Sequence, residues 1–489
     1  MFRIFSLILL FVPLAAGLVL ALGEKIDRKG KSILFCAALL AEAAGCACLL
    51  GCGEEVFPLF SMTETLTVAL RMDSISKIFL VILTGGFLLS GFYATKYLEH
   101  ETKEHSFYAF FLFSEMALVG MDLSSNLITM YLFFEMATLL SIPLVLFDRT
   151  KESIQAALKY LFYSIAGAFL GLLAIFVLSR YCTTLDFTAG GTLDAVKAAG
   201  HETLILIVTL LGIIGFGAKA GMYPLHGWLP VAHPVAPAPA SAVLSGVITK
   251  AGVLAILRLL YFIIGPSFIR GTWVQTVLVS LSLLTVFMGS MMAYRQDVFK
   301  KRLAYSSVSQ ISYVLVGLFL MTAESVQGGL LQVLFHACVK ICLFLVAGSV
   351  IHNAGKTKVS ELTGIGKTMP CTTWAFTIAS LSLIGIPPAA GFVSKWYLAG
   401  GALASGLPVL NWLAPVILLV SALLTAAYLL PITIRGFFPG KDYVQEKRIR
   451  EGGVQMLLPI ILLAALSLLM GIFSGPLTDW IGMVSKTLF

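Results

Sequence analysis

The chain has 489 residues, 58% of them hydrophobic and 12% charged, with a formal net charge of +8. Soluble domains hold about 25% charged and about 45–50% apolar residues, so a chain of this composition has too little polar surface to cover itself in water. A soluble enzyme, a nucleic-acid binder and a disordered scaffold are excluded; this is an integral membrane protein, and its positive charge reports loop asymmetry rather than an anionic partner such as nucleic acid.

A helix needs roughly 20 apolar residues to cross a bilayer, and it satisfies its own backbone groups in doing so. Fourteen such segments are predicted in chain order, near 4–22, 33–52, 76–95, 107–121, 126–147, 154–179, 203–223, 237–263, 273–293, 303–321, 328–351, 372–399, 411–434 and 454–474. The first, with Arg3 before it, reads as a signal anchor rather than a cleaved leader because so many spans follow. No loop is long enough for a soluble domain; the longest, near 53–75, 180–202 and 435–453, hold about twenty residues each. Of the 33 Lys and Arg, 20 fall in loops after odd-numbered spans, 6 in the termini and the other loops, and 7 inside spans. The positive-inside rule then predicts both termini on the non-cytoplasmic side of a prokaryotic cell membrane, with Arg295–Arg302 and Lys441–Arg450 as cytoplasmic markers. The 8 cysteines form no CxxC pair and lie mostly in apolar runs, so they read as small core or lipid-facing residues rather than metal or cluster ligands. No nucleotide-binding glycine pattern, haem motif or flavin motif occurs, so no redox cofactor is expected in this chain.

The ionisable residues inside the spans carry the chemistry. Each costs about 2.5–3.5 kcal/mol at the bilayer centre, and such residues usually face a bundle interior, pair with one another and mark ion paths. Glu115, Glu135, Lys159, Lys219, Lys250, Lys340 and Lys395 make seven, roughly 20 kcal/mol if all stayed unpaired. Lys159 lies close enough to the start of its span to snorkel, and Glu42 in the second span has no obvious partner. Glu135 sits too deep to snorkel. A glutamate beside an intramembrane lysine keeps that lysine charged, and separating the two lets desolvation release the proton. Gln332, His336 and Lys340 are spaced i, i+4 and i+8, so they share one helix face suited to a proton relay. Weak internal symmetry links spans four to eight with nine to thirteen. Lys219 stands just before Pro224 in the first block, and Pro387 and Pro388 stand just before Lys395 in the second. Interrupted spans at matching positions of two repeats point to an ion path at mid-membrane.

From Gly215 to Arg258 runs GFGAKAGMYPLHGWLPVAHPVAPAPASAVLSGVITKAGVLAILR, which holds Lys219, His226, His233 and Lys250. With the Glu135 segment, HACVKICLFLVAGS at 336–349 and GIPPAAGFVSKW at 385–396, this stretch closely resembles the antiporter-like membrane subunits of respiratory complex I, membrane-bound energy-conserving hydrogenases and Mrp-type cation/proton antiporters. The resemblance covers nearly the whole chain, with four separated motifs in the family's order. It implies an all-α fold of about 14 transmembrane helices with two inverted five-helix repeats, each containing a broken helix. The implied divisions are 1–106 for helices 1–3, 107–265 for the first repeat, 266–435 for the second, and 436–489 for a cytoplasmic loop and helix 14. It further implies that Glu135 pairs with Lys219, that Lys250 links the two half-channels, that His336 and Lys340 lie on the relay helix, and that Lys395 is the terminal residue of the second half. The family moves protons, and in some branches sodium, driven by redox chemistry in partner subunits or by an opposing ion gradient. One departure is Val231, where members commonly carry aspartate after Trp-Leu-Pro. The chain is similar to the shorter members, and 233–246 looks most like the hydrogenase-associated branch.

The expected function is therefore an ion-translocating subunit of a membrane-bound hydrogenase or complex I-related complex. Its expected partners are other membrane subunits and, through them, a peripheral redox arm whose nickel–iron, iron–sulfur or flavin centres lie outside this chain. The alternative is the corresponding subunit of an Mrp-type antiporter without a redox partner. A membrane enzyme using His226, His233 and His336 as metal ligands is a weaker alternative, because the three lack zinc-site spacing. A purely structural subunit would not need the buried charges.

Overall fold

A computed structural model describes residues 1–23, 25–63, 66–441, 443–444 and 448–489. Part of the Lys441–Arg450 marker falls outside these described residues. Helices take up 76% of the protein. They are α1 (Phe2–Leu22), α2 (Arg28–Leu50), α3 (Ser74–Tyr97), α4 (Glu104–Asp122), α5 (Leu127–Val145), α6 (Lys151–Leu178), α7 (Glu202–Ala220), α8 (Leu229–Val235) and α9 (Ala238–Ile264). The series continues with α10 (Trp273–Arg295), α11 (Phe299–Phe319), α12 (Ala323–Ala354), α13 (Pro370–Ile384), α14 (Ala390–Leu403), α15 (Leu410–Phe437), α16 (Val454–Ile472) and α17 (Gly475–Lys486).

Among the described residues, 11 helices are long and apolar enough to cross a membrane. Three of the predicted spans differ, each for a compositional reason. Helix α4 carries Glu104, Glu115 and Asp122, α11 opens on Lys300, Lys301 and Arg302, and the segment near 372–399 is divided into α13 and α14. The helical expectation holds for most of the chain, and one short hairpin lies beside it. Val56–Ser61 (β1) pairs antiparallel with Thr67–Arg71 (β2) in the loop after α2. Both strands carry the β-branched and aromatic residues that suit a pleated surface, and a six-residue strand is too short to register in a search for spans.

The long helix α12 runs through the centre and packs against α3, α9, α11, α13, α14 and α16. Its start is closed by a reciprocal cap, with Thr322 Oγ1 accepting from the Ser325 amide (3.1 Å) and Ser325 Oγ accepting from the Thr322 amide (3.2 Å). Its end is set by Gly355 at φ 66°, a left-handed conformation that glycine adopts without strain. Between the caps are 32 residues, about 48 Å at 1.5 Å per residue, long enough to cross the bilayer with one face lined by Gln332, His336 and Lys340. Helices α3 and α9 are fastened by a buried ion pair. Arg258 donates to both Asp73 oxygens (2.5 and 2.9 Å) and to Ser76 Oγ (3.1 Å). Removing one partner of such a pair typically costs about 3–5 kcal/mol, because the other charge stays buried.

A candidate ion path through the centre of the bundle

The first break is built at the end of α7. Gly221 takes φ 81°, which stops the helix, and the Trp228 indole donates to the freed Ala218 carbonyl (2.8 Å) while stacking on Tyr160 (4.4 Å). The Gly221 and Met222 amides also donate to the Ala218 and Gly217 carbonyls (3.2 and 2.9 Å), and Lys219 in the last turn reaches across to α5. Its Nζ donates to the Phe134 carbonyl (3.1 Å) and to Thr138 Oγ1 (2.7 Å), and lies 4.5 Å from the centre of the Phe134 ring. Glu135 is next in sequence to Phe134 and near enough for its charge to act on Lys219, but Lys219 donates to the backbone and the threonine. The implied pair is thus a close neighbourhood rather than a direct bond, and Glu135 Oε1 has no hydrogen-bond partner.

Helix α9 carries the central lysine. It widens into a π-helical turn over Leu244–Ile248, a feature frequent at functional sites, and Lys250 follows two residues later. Lys250 Nζ contacts the Ser245 carbonyl (2.6 Å) and His336 Nδ1 on α12 (2.9 Å). This bond joins α9 to α12. One turn away on the same face, Gln332 donates to Gln310 Oε1 on α11 (2.9 Å) and accepts from Ser394 Oγ on α14 (2.5 Å). Lys340 lies one turn in the other direction and donates to the Leu303 carbonyl (3.0 Å) and to Ser306 Oγ. The i, i+4, i+8 spacing therefore sends three neighbouring side chains to three different sets of partners on α9, α11 and α14.

The second break lies between α13 and α14. Gly385 takes φ 92°, and the last carbonyls of α13, on Leu383 and Ile384, accept from Lys395 Nζ (2.5 and 2.6 Å). Lys395 also lies 5.4 Å from the centre of the Tyr313 ring. Ser394, its neighbour, completes the contact to Gln332.

Other predicted residues stand apart from this line. Lys159 is half-buried, with Nζ 6.0 Å from the Tyr163 ring centre. His226 stacks on Tyr223 (5.8 Å) in the loop of the first break. His233 is buried and stacks on Phe344 (4.6 Å). Val231 is half-buried in α8. Glu115 is buried with neither carboxyl oxygen partnered, and Glu42, dismissed from sequence for want of a partner, lies close enough for the two charges to interact. Among the described residues no group of three His, Cys, Asp or Glu is gathered to hold a metal ion. Sequence reasoning missed Thr138, Ser306, Gln310 and Ser394. The available signals were Thr138 one turn after Glu135, Ser394 beside Lys395, and the polar run Ser306-Ser307-Val308-Ser309-Gln310 inside an apolar span.

Residues 124–425 match the sequence pattern of the family described as NADH:quinone oxidoreductase/Mrp antiporter, TM. The chain is 33% identical to NADH-quinone oxidoreductase subunit N of Desulforudis audaxviator, over 95% of this chain and 94% of that protein. It is 29% identical to a Na(+)/H(+) antiporter subunit of Alkalihalophilus pseudofirmus, over 80% of this chain and 77% of that protein. Against Hydrogenase-4 component B of Escherichia coli the identity is 33%, over 68% of this chain and 51% of that protein. The fold is shared with a chain of the Mrp complex from a Dietzia species, with a TM-score of 0.85 at 22% identity, covering 99% of this chain and 97% of that one.

Proposed function

This chain belongs to the NADH:quinone oxidoreductase/Mrp antiporter transmembrane family, and we propose that it is the ion-translocating, antiporter-like subunit of a larger membrane complex. The observation that carries the reading is the Lys250–His336 bond at 2.9 Å, which joins the lysine of one interrupted half to the relay face of the other. In this reading α4–α9 and α10–α15 are two inverted repeats of a fourteen-span fold, divided at 107–265 and 266–435, with both termini on the non-cytoplasmic side. Support comes from the matching left-handed glycines, Gly221 and Gly385, each with a lysine nearby, and from the Lys and Arg count of the loops.

Protons, or sodium exchanged for them, pass by way of Glu135, Lys219, Lys250, His336, Lys340 and Lys395. Moving one charge against 100 mV costs about 2.3 kcal/mol. Drawing a lysine and a carboxylate together to 4 Å at an effective dielectric of 20 yields about 4 kcal/mol. Opening and closing one Glu135–Lys219 contact is therefore sufficient in magnitude to load and release a proton. The driving reaction belongs to partner subunits, where nickel–iron and iron–sulfur centres or flavin would reside, as similarity to the oxidoreductase and hydrogenase subunits suggests. A second reading, an antiporter assembly without a redox partner, is favoured by the similarity to the Na(+)/H(+) antiporter subunit and to the Mrp fold.

Two measurements test this. Purifying the tagged chain with its native partners should bring iron–sulfur absorbance and metal with it; a metal-free complex that still exchanges sodium for protons selects the antiporter reading. In proteoliposomes of that complex, Lys395→Gln should lower transport by about a hundredfold, the scale of a lost proton-transfer group, whereas Lys159→Gln should leave it near wild type. Normal transport in a correctly assembled Lys395→Gln complex refutes a path through the second break.

A further inference from the structure

Asp122, at the end of α4, is buried, and neither of its carboxyl oxygens has a hydrogen-bond partner. The nearest guanidinium is already committed. Arg258 is held by both oxygens of Asp73 and by Ser76, and it packs over the rings of Phe187 (4.8 Å) and Phe262 (4.5 Å). Ser76 Oγ in turn donates to the Asp122 backbone carbonyl (2.8 Å), which fixes the end of α4 beside the ion pair but leaves the carboxyl group alone.

Asp122 lines a small cavity between α3, α4 and α9, walled also by Phe79, Leu118, Ala251 and Leu254, and the other charged lining residue is Lys250. The cavity offers about 20 Å³ to the centres of water-sized spheres, room for a single water. A buried water needs two or more polar partners, and the two charged lining residues carry a carboxyl and an amine. Lys250 has three N–H donors when charged; Ser245 and His336 occupy two of its contacts, so one donor is left over. A buried carboxyl without a partner is costly, and a bridging water relieves Asp122 and Lys250 together. The charged and titratable groups around Asp122 are Arg258 and Lys250 on α9, Asp73 before α3, Cys46 on α2, and Glu115 two turns back on α4.

We propose that Asp122 is a proton-exchange partner of Lys250, joined to it by one water in this cavity. The central lysine then has three neighbours: the Lys219 half, His336 and Asp122. In the transfer an O–H bond of the Asp122 carboxyl breaks as the water takes that proton, and the water gives up another to form an N–H bond on the Lys250 amine. No electrons change hands, and the reverse step restores both groups.

The inference rests on the ion-translocation reading, and the test separates the two. In proteoliposomes of the intact complex, Asp122→Asn should lower proton transport at least tenfold, and Asp122→Glu should recover most of it. Ala251→Val, which fills the cavity without touching a titratable group, should lower transport as well. A second readout is infrared titration of the purified full-length chain: a carboxyl C=O band should vanish in Asp122→Asn and shift in Lys250→Gln. Full transport in Asp122→Asn alongside its loss in Lys250→Gln overturns the Asp122 link and leaves the path standing, while full transport in both overturns the path itself. Should Asp122→Asn fail to assemble, the infrared band decides, and a band unmoved by Lys250→Gln refutes the link.

Discussion

Lys219 stands in the last turn before one break, and Lys395 stands in the second turn after the other. At the first break Trp228 and the Gly221 amide serve the Ala218 carbonyl, and Lys219 turns to α5 and the neighbourhood of Glu135. At the second break the lysine itself closes the helix, with Leu383 and Ile384 as acceptors. The unsatisfied carbonyls at a helix end carry roughly half a negative charge, and a cation there is stabilised without any carboxylate. The two lysines are thus held differently, Lys219 by a carbonyl and a hydroxyl of α5 beside Glu135, and Lys395 by the closing carbonyls of α13.

The largest expected effect tests the acidic neighbourhood. Glu135→Gln and Lys219→Gln should each cut transport by about a hundredfold, and the double variant should lose little more. The coupling between them should amount to about 1–3 kcal/mol, as for contacting residues. The same cycle between Glu135 and Lys395 should be additive within about 0.5 kcal/mol. Additivity at Glu135 and Lys219 would erase the distinction between the two breaks.

A smaller effect, on stability, tests the dipole. Lys395→Glu sets a negative charge against two carbonyl oxygens and should lower stability by about 1–2 kcal/mol, more than Lys395→Gln, which keeps a donor. Trp228→Phe removes the indole donor at the first break while the Gly221 amide still serves the Ala218 carbonyl, so it should cost only about 0.5–1.5 kcal/mol, the net worth of one hydrogen bond. Thermal unfolding in detergent measures all three. Equal stability of the Lys395→Glu and Lys395→Gln proteins would show that the second break does not use the lysine as a cap.

The smallest effect lies in water, where the same chemistry is reversed. Glu361 accepts from the amides of Lys358 and Thr357 (3.0 Å each) at the start of the short turn Val359–Leu362. Those amides hold its carboxyl below the usual carboxylate range. A depressed folded value means that the stabilisation is fully present above the unfolded value, about 4.3, and is lost as pH falls through the folded one. Protection of these two amides from hydrogen exchange should drop below about pH 4 relative to neighbouring amides, and Glu361→Gln should remove that dependence.

Periodicity carries only certain kinds of information. The apolar runs and the shared face of Gln332, His336 and Lys340 follow from the sequence because helix geometry alone relates residues four apart. The breaks were legible too, since Pro224, Pro387 and Pro388 mark them directly. The hairpin β1–β2 was not, because its strands are shorter than any window tuned to spans. Thr138, Ser306 and Ser394 were not either, because hydroxyl residues inside membrane helices usually bond to their own helix, as Thr84 does to Leu80 (2.9 Å).

The sequence by itself determined that this is a membrane protein of many helices, that lysines and glutamates are buried in it, and that two helices are interrupted beside lysines. Composition, hydrophobic run length and proline position are local properties, and they need no knowledge of neighbours. The tertiary structure alone decided which groups meet: Lys250 with His336, 86 positions away, Lys219 with Thr138, 81 away, and Asp122 with the cavity beside Lys250. A buried charge is tolerated only through the partners that packing brings to it, and those partners come from other helices at separations no local pattern encodes.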